Sequence, residues 1–356
     1  MTVRTGQAPQ KLAREEFGRR FREHFDDPLF DVAAAAVATL EQIAWSAYHE
    51  GRKAPRKQPA GEGFAHPGQE LSVAWLDTRR RLHAAAALQA SPASASRVLV
   101  VCASARNDGT CPSEMSKTHR LVEIAREVLA GAERCEVDVL DLSLLSSEYG
   151  RHIHPCKACL STAMPLCHWP CSCYPNQSLG QTSDWMSQIY ERWTAAHAVV
   201  ILTPVYWYQA PSGLKLMMDR LVCADGGNPD PTTTKGKDPE LAKAVERKGW
   251  DYPQHLAGRA FGVVVHGDVE GVKELRRALC DWLESIGLVD AGAFAKLDRY
   301  IGYFGTYADS HEALDRDEAL AEEVRNVARS VGAAVRELRQ GHSPRADERL
   351  EAPRKK

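Results

Sequence analysis

The sequence lacks the features that would assign it to a membrane, secreted or nucleic-acid-binding class. No apolar run is long enough to cross a bilayer, and the N-terminal stretch MTVRTGQAPQKLAREEF has no apolar signal-peptide core. Its 45 lysines and arginines are balanced by 47 aspartates and glutamates, and the net charge of −2 gives no basic field for nucleic acid. We therefore expect a cytoplasmic protein with no membrane and no nucleic-acid partner.

Two common nucleotide-binding motifs are also missing. The chain has no G-x-G-x-x-G sequence and no P-loop sequence, so neither a dinucleotide-binding Rossmann site nor a P-loop NTPase is expected. Ten cysteines are present. In a protein expected to be cytoplasmic, that number indicates metal, cluster or redox use more than a disulfide framework.

The stretch from residue 198 to residue 220 suggests a ligand site. Residues 199–202 form a short β-branched apolar run, which is typical of a strand buried on both faces. Pro204 ends the strand, three aromatic residues follow at 206–208, and Ser212 is predicted as the N-cap of a helix. Ligands bind beyond the carboxyl ends of strands in open α/β sheets, so the rings favour a flat ligand. The alternative is that they only cap the sheet edge.

A second candidate loop follows the first predicted strand, at residues 97–102. The loop is small and rich in hydroxyl groups, and the next helix opens near Ser116. Backbone N–H groups at a helix N-terminus, hydroxyl donors and the cationic Arg106 or Lys117 together favour a phosphate group. Many strand–helix turns contain serine and glycine, so the loop by itself is not specific.

Alternating strands and helices indicate the fold class. Further strands are predicted at residues 137–140, 261–265 and 289–294, with helices near 184–196, 271–286 and 317–338. This alternation predicts an α/β fold with a doubly wound, five-stranded parallel sheet and right-handed crossovers. The loop after the 261–265 strand brings His266, Gly267 and Asp268 to the same sheet edge.

The predicted organisation has one central domain with additions. We expect a helical N-terminal extension over residues 1–95, an α/β domain over 96–340 and a disordered tail over 341–356. Within the domain lie a Cys-rich insertion at 151–180 and a polar insertion at 223–258. We expect the polar insertion to be a lid or binding loop, because long loops in compact domains often have that role. An aromatic cluster at 299–307 is interpreted as core packing or as a wall of an acceptor pocket.

Two sequence blocks resemble the NADPH-dependent FMN reductase family. Pro204, Tyr206, Trp207, Lys215 and the Asp219–Arg220 pair are similar to the family's P-x-Y-(W)…K…D-R block. Ser104 and Arg106 match the start of its phosphate loop, whereas the segment 111–115 departs from it. The resemblance implies a flavodoxin-like fold with strand order 2-1-3-4-5 and bound FMN. The FMN-binding residues it implies are Ser104, Arg106, Thr110, Ser116, Lys117, Thr118, Pro204, Val205, Tyr206, Trp207, His266, Gly267 and Asp268.

The resemblance also implies an activity. It predicts an FMN-dependent NAD(P)H oxidoreductase, assembled as a homodimer or homotetramer, that passes electrons through the flavin to a small acceptor such as a flavin or quinone. The flavin carries out the chemistry, so no catalytic side chain is predicted. Two alternatives stay open: a flavin and iron–sulfur electron-transfer protein served by a partner reductase, and a zinc-stabilised binding protein without flavin.

Half of the cysteines lie in one short segment of the Cys-rich insertion. Closely spaced thiolates on irregular backbone are typical metal ligands, and the iron–sulfur flavoproteins, which this segment partly resembles, imply a [4Fe–4S] cluster. Their spacing is tighter, because seven residues separate the second and third cysteines here. A zinc site that includes His154 or His168, and plain thiols with or without a redox disulfide, are the other readings. The candidate metal ligands are Cys156, Cys159, Cys167, Cys171 and Cys173.

Overall fold

A parallel β-sheet forms the centre of the protein. The computed structural model describes residues 4–7, 10–344 and 349–354. The sheet order is β4-β3-β5-β6-β7, with β8 also paired to β6, and every neighbouring pair is parallel. This order corresponds to the predicted flavodoxin-like order 2-1-3-4-5. Its strands are β3 (Ser96–Cys102), β4 (Cys135–Asp141), β5 (Ala198–Pro204), β6 (Ala260–Gly267), β7 (Val289–Asp290) and β8 (Lys296–Tyr300).

Helices cover both faces of the sheet. The N-cap Ser116 accepts a hydrogen bond from the His119 N–H and starts α4, as predicted. Ser212 was predicted as an N-cap, but Pro211 occupies that position and Ser212 is the first helical residue. The helices are α1 (Arg14–Arg22), α2 (Ala34–Glu50), α3 (Val73–Ala90), α4 (Lys117–Ala130), α5 (Leu144–Ser147), α6 (Met186–Ala195), α7 (Ser212–Leu221), α8 (Pro239–Arg247), α9 (Val272–Ser285), α10 (Ser310–Asp315) and α11 (Glu318–Arg339).

The sheet separates two apolar cores. Alternate residues of a strand point to opposite faces, so β5 contributes Val199 and Ile201 to one core and Val200 and Leu202 to the other. The first core packs against α6, α7 and α9, and the second packs against α4 and α11. Because both faces are covered, all seven residues of β5 are buried, and this explains the continuous apolar run in the sequence.

The predicted fifth strand at 289–294 is wrong in its extent. Val289–Asp290 forms only the two-residue β7, and the chain then turns through Gly292 before β8 continues along β6. Gly292 has φ 110°, a value that most other residues avoid. Two short strands therefore share the fifth position of the sheet.

The N-terminal extension is not entirely helical. An antiparallel pair, β1 (Lys57–Pro59) and β2 (Glu70–Ser72), forms within the extension that the sequence predicts as helical. Helix α3 begins only at Val73, because the Ser72 side chain caps it through the Trp75 N–H. The indole N–H of Trp75 donates to the Pro170 carbonyl at 2.8 Å and so ties the extension to the Cys-rich insertion.

The polar insertion contains α8 and a 3-10 turn, and it packs against the Cys-rich insertion. Its role as a lid or binding loop stays a prediction. Asn228 is buried between the two, donating its N–H to the Cys167 carbonyl at 2.7 Å and accepting from the Trp169 N–H at 2.9 Å. The backbone N–H of Met164 donates to the Glu246 carboxylate at 2.9 Å. Buried polar pairs of this kind hold the insertion in place.

The C-terminal tail, expected to be disordered, contacts α11 in its described part. The Glu351 carbonyl accepts a hydrogen bond from the Asn326 amide at 3.1 Å, and Arg354 pairs with Asp317. Residues 345–348 and 355–356 lie outside the described residues. Across the described part of the chain, none of the helices is long and apolar enough to span a membrane.

Candidate functional site

Three loops at the carboxyl edge of the sheet enclose one cavity. The loops follow β3, β5 and β6, and the cavity has a volume of about 190 Å³. The cavity contains eleven of the thirteen predicted FMN-binding residues. Its walls are Ser104, Arg106, Ser116, Lys117, Thr118, Pro204, Val205, Tyr206, His266, Gly267, Asp268, Ile301 and His311.

Part of the wall of the cavity has the composition of an anion site. Helix α4 begins there, so its free N–H groups and the positive end of its dipole are directed at the cavity. Arg106 and Lys117 add two cations, and Ser104 and Thr118 add hydroxyl groups. Burial lowers the pKa of Lys117, while the nearby Asp268 carboxylate opposes that shift. An anion bound in the cavity would act in the same direction as Asp268 and stabilise the charged form of Lys117.

His266 is fixed as a neutral group in the wall of the cavity. Its Nε2 lies 2.9 Å from the Thr118 hydroxyl, which connects β6 to α4. The ring is buried, and burial, together with Lys117, lowers its pKa to about 3. His266 therefore orients Thr118 without adding positive charge at neutral pH.

Charged and hydroxyl groups in the wall of the cavity support the fit of a phosphate. His311 Nδ1 is inaccessible to solvent and has no hydrogen-bond partner among the described residues. Its Nε2 lies 3.5 Å from the Glu114 carboxylate, which also pairs with Arg106. Because Nε2 faces a carboxylate and burial lowers the pKa of His311, Nδ1 of the neutral ring is an acceptor and does not donate to a phosphate. The fit to the phosphate end of FMN therefore rests on the two cations and the hydroxyl groups of the wall.

The aromatic loop after β5 contributes Pro204, Val205 and Tyr206 to the wall of the cavity. Trp207 and Tyr208 have φ values of 46° and 66°, so the backbone of this tight turn is left-handed. A Cβ atom on Gly271 would lie 3.1 Å from the Tyr208 Cα, so only glycine lets the two loops approach this closely. Tyr206 lines the cavity mouth, whereas the Trp207 side chain is 92% exposed.

Two predicted residues lie outside the cavity. Thr110 hydrogen-bonds to Asn107 within its own loop, and Trp207 projects into solvent. Two residues that the sequence reasoning missed, Ile301 and His311, lie in its wall. Ile301 belongs to the aromatic segment 299–307, which was a candidate wall of the acceptor pocket. No motif in the sequence points to His311, which comes from α10.

Two further cavities lie next to the first. Ser104 also lines a cavity of about 250 Å³ that extends to His152. Arg151 and His152 are shared in turn with a cavity of about 510 Å³ between α3 and the Cys-rich insertion. Cys171 and Tyr174 line that third cavity. Neighbouring cavities therefore share wall residues between the candidate anion site and Cys171.

The thiols are close together but are not arranged as a metal site. Among the described residues, no group of three or more His, Cys, Asp or Glu side chains is placed to hold a metal ion. The structure therefore does not support the [4Fe–4S] or zinc prediction for Cys156, Cys159, Cys167, Cys171 and Cys173. The two histidines considered as ligands have other contacts, with His154 at the Ser183 carbonyl and His168 at the Ser172 hydroxyl, each at 2.6 Å.

Hydrogen bonds from neighbouring thiols dominate the environment of Cys159. Those from Cys167 and Cys173 lower its pKa, burial opposes this, and the Lys237 ammonium lowers it further. The Lys237 Nζ lies 3.2 Å from the Cys159 Sγ. The hydrogen bond to Cys159 and burial both raise the pKa of Cys167. Cys159 and Cys167 therefore form an unequal pair, with the negative charge favoured on Cys159.

Comparison with known proteins gives a family match. The sequence profile of the family described as NADPH-dependent FMN reductase matches residues 96–298, more than half of the chain. No curated protein matches the sequence.

Several solved structures resemble the chain at low identity. RosB with a bound riboflavin-phosphate intermediate has 16% identity and a TM-score of 0.46, covering 69% of this chain and 81% of its own. FerB, an NAD(P)H:(acceptor) oxidoreductase from Paracoccus denitrificans, has 16% identity and a TM-score of 0.38, covering 70% and 99%. An NAD(P)H:quinone oxidoreductase from Methanothermobacter marburgensis has 16% identity and a TM-score of 0.38, covering 67% and 98%.

Proposed function

The chain belongs to the NADPH-dependent FMN reductase family, and we propose that it transfers electrons from a nicotinamide cofactor through FMN to a flat quinone-like or flavin-like acceptor. The family gives the general activity, that of an NAD(P)H-dependent flavin oxidoreductase. The observation that carries the proposal is one cavity lined by all three loops, with cations, hydroxyl groups and an aromatic side chain in its wall. That combination suits a ligand with a phosphate group and a flat ring.

Each part of the cavity has a proposed role. Lys117, Arg106 and the start of α4 would hold the phosphate, and Ser104 and Thr118 would donate hydroxyl hydrogen bonds to it. Val205, Tyr206 and the backbone at Gly267 would contact the ring. When bound, FMN supplies the chemistry of accepting a hydride and releasing electrons. The protein's share is to bind, orient and tune the flavin, and this requires no acid or base side chain.

The acceptor is proposed from aromatic side chains in the segments that line the cavity. Tyr206 lines it and is 39% exposed, Tyr208 of the same loop is 58% exposed, and Phe304, three residues after the lining residue Ile301, is 94% exposed. Exposed aromatic side chains stack well on planar ligands. A planar acceptor such as a quinone or free flavin therefore fits better than a metal ion.

Steady-state kinetics test this proposal. NADPH oxidation by FMN-loaded protein is measured with a quinone, free FMN and ferric citrate as acceptors, without oxygen. We expect parallel-line (ping-pong) kinetics and a kcat/KM for the quinone or flavin at least tenfold above that for ferric citrate. Turnover that requires an added partner reductase would contradict the proposal and favour an electron-transfer protein.

A homodimer or homotetramer is also proposed, with the N-terminal helices at the subunit contact. Leu29 and Val32 are 81% and 96% exposed, and Leu40 and Ile43 are at least half exposed. Several apolar side chains exposed on one helical segment favour burial against another molecule. Light scattering after gel filtration gives the mass directly, and a mass of one chain, 39.3 kDa, would contradict the proposal.

A further inference from the structure

The segment 111–115, which departs from the phosphate loop of the FMN reductase family, brings a carboxylate to the candidate phosphate site. The Glu114 carboxylate accepts a hydrogen bond from the Arg106 guanidinium, and the Glu114 carbonyl accepts a second one from Arg106 Nε at 3.3 Å. Arg106 is one of the two cations in the wall of the cavity. The guanidinium that is proposed to hold the phosphate therefore has an anionic partner within the chain.

A second contact holds the same carboxylate beside the cavity wall. His311 Nε2 lies 3.5 Å from Glu114 Oε2, the oxygen that also pairs with Arg106. His311 and Arg106 both line the cavity, so Glu114 connects two of its lining residues. The hydrogen bond from Arg106 lowers the pKa of Glu114, so the carboxylate is ionised at neutral pH. Glu114 is thus a negative charge next to a site that suits an anion.

The Arg106–Glu114 pair is of a kind that a stronger anion displaces. The two side chains are 34% and 51% exposed, and ion pairs open to water are weak because both partners are well solvated. A phosphate monoester carries a charge of about −1.5 to −2 at neutral pH and has three acceptor oxygens. A guanidinium binds carboxylate and phosphate through the same pair of N–H groups. The two anions therefore require the same donor groups of Arg106.

The segment that carries Glu114 can change position without disturbing the sheet. Residues 111–115 are all exposed. On one side, the Asn107 amide donates to the Ser143 and Ser147 hydroxyl groups at 2.7 and 2.8 Å, and on the other side Ser116 caps α4. Exposed segments that bury little apolar surface open at low cost in free energy. Glu114 can therefore leave Arg106 while both ends of the segment stay in place.

We propose that Glu114 competes with the phosphate of FMN for Arg106 and so limits how strongly the protein prefers FMN to riboflavin. Binding of the phosphate exchanges one ion pair of Arg106 for another, so part of the gain in free energy is lost. Riboflavin has no phosphate and does not take part in this exchange. Glu114 is thus a specificity-determining residue of the flavin site. The inference rests on the proposed function, because it requires FMN in the cavity with its phosphate at Arg106.

The opposite role for Glu114 predicts the opposite sign. A carboxylate that only held Arg106 in position for the phosphate would improve FMN binding, and its neutralisation would weaken that binding. A carboxylate that competes with the phosphate would weaken FMN binding, and its neutralisation would strengthen it. The direction of the change therefore distinguishes the two roles.

Titration of flavin fluorescence against four proteins tests the competition. The proteins are the wild type, Glu114→Gln, Arg106→Met and the double variant, and each is titrated with FMN and with riboflavin. We expect Glu114→Gln to bind FMN about threefold to fivefold more tightly than the wild type does, the range expected for release of an exposed ion pair. In the Arg106→Met background, the same change should alter FMN affinity less than about 1.5-fold, because the contested cation is gone. Riboflavin affinity should be equal in all four proteins, which also shows that the cavity is intact.

A neighbouring carboxylate provides the matched control. Glu312 follows His311 on α10, is 80% exposed and pairs with Arg316. Glu312→Gln removes the same charge from the same region and should leave both affinities within about 1.5-fold of the wild type.

Several results would overturn the inference while the proposed function stands. They are weaker or unchanged FMN binding by Glu114→Gln, an equal gain in riboflavin affinity, a gain that persists undiminished in the Arg106→Met background, or the same gain in Glu312→Gln. In each of these cases the wild type still binds FMN. A wild type that binds neither flavin would overturn the proposed function and this inference together.

Discussion

The role of a single side chain in the cavity can be tested by comparing two ligands that differ only in the phosphate group. Lys117 is half-buried beside the start of α4, and its ammonium is expected to face the phosphate of FMN. Lys117→Met should weaken FMN binding about 10-fold to 100-fold, because a charge-assisted hydrogen bond contributes roughly 1.5–3 kcal/mol. Riboflavin, which lacks the phosphate, should bind the variant and the wild type equally. Fluorescence titration measures both ligands.

The control for this prediction is another lysine of the same domain. Lys215 is exposed on α7, pairs with Asp219, and is not among the residues that line the cavity. Lys215→Met should leave both affinities within a factor of about two, since exposed pairs contribute at most ~1 kcal/mol to stability and nothing here to the ligand. If Lys117→Met lost affinity equally for FMN and riboflavin, the proposed contact between Lys117 and the phosphate would be contradicted.

The lowered pKa of His266 predicts that the stability of the fold depends on pH. Its pKa falls from the ordinary 6.5 to about 3 on burial, so the unfolded chain binds a proton that the folded protein does not. The stability this group contributes is complete above pH 6.5 and is lost as pH falls toward 3. Between pH 7 and pH 5 the wild type should lose about 2 kcal/mol of unfolding free energy through this residue. Urea unfolding at both pH values measures the effect. In His266→Gln the free energy of unfolding should fall by about 2 kcal/mol less between pH 7 and pH 5 than in the wild type. An equal fall in the two proteins would contradict the lowered pKa of His266.

At the scale of elements, the packing of α11 on the sheet depends on one glycine. A Cβ atom on Gly262 of β6 would lie 2.7 Å from the Val331 side chain and 3.2 Å from Val327. Gly262→Ala should therefore cost about 1–3 kcal/mol, the usual range for overpacking a core. Gly332→Ala is the control, because its Cβ would meet nothing closer than 3.8 Å and alanine favours a helix. Thermal unfolding of both variants is the measurement, and a neutral Gly262→Ala would contradict the close packing.

The adjacent residues Asp219 and Arg220 of the family-like block have different structural roles. Arg220 is buried, pairs with Asp184 at 2.7 Å and donates to the His154 carbonyl, so it anchors the Cys-rich insertion. Arg220→Met should cost about 3–5 kcal/mol because it leaves Asp184 buried without its partner. Asp219→Asn, on the exposed side of the same helix, should cost about 0.5 kcal/mol or less. Urea unfolding distinguishes them, and equal costs would contradict the anchoring role.

The elements that the sequence predicted well are those with a continuous pattern. The apolar runs of β3, β5 and β6 are long because both faces of the sheet are covered, and Ser116 marks a helix start through a local hydrogen bond. The strands β1 and β2 were missed because three residues carry no detectable period, and the strand predicted at 289–294 was too long because β7 ends at Asp290.

The site was predictable only where its residues follow strands. Parallel strands bring the loops after β3, β5 and β6 to one edge, so those loops could be identified as one site from topology. His311 reaches the cavity from α10, and Lys53 and Lys237 reach the thiols from segments that carry no motif. Contacts between residues so distant in sequence depend on packing that no local pattern encodes.

At the scale of the whole molecule, the additions to the domain act together. Trp75 of the extension is buried against the Cys-rich insertion, whereas the Trp45 ring contacts Phe17 and Tyr48 within the α1–α2 pair. Trp75→Ala should cost about 3–5 kcal/mol and expose the segment 151–180 to protease. Trp45→Ala should leave that segment protected. Limited proteolysis with mass spectrometry checks both, and equal protection of the segment in the two variants would contradict the coupling.

The measurement that tests the central claim most directly is the visible spectrum of FMN-reconstituted protein, recorded without oxygen before and after NADPH is added. The account predicts that FMN stays with the protein through gel filtration and that its absorption bands bleach on addition of NADPH. FMN that separates from the protein, or bands that persist in excess NADPH, would contradict it.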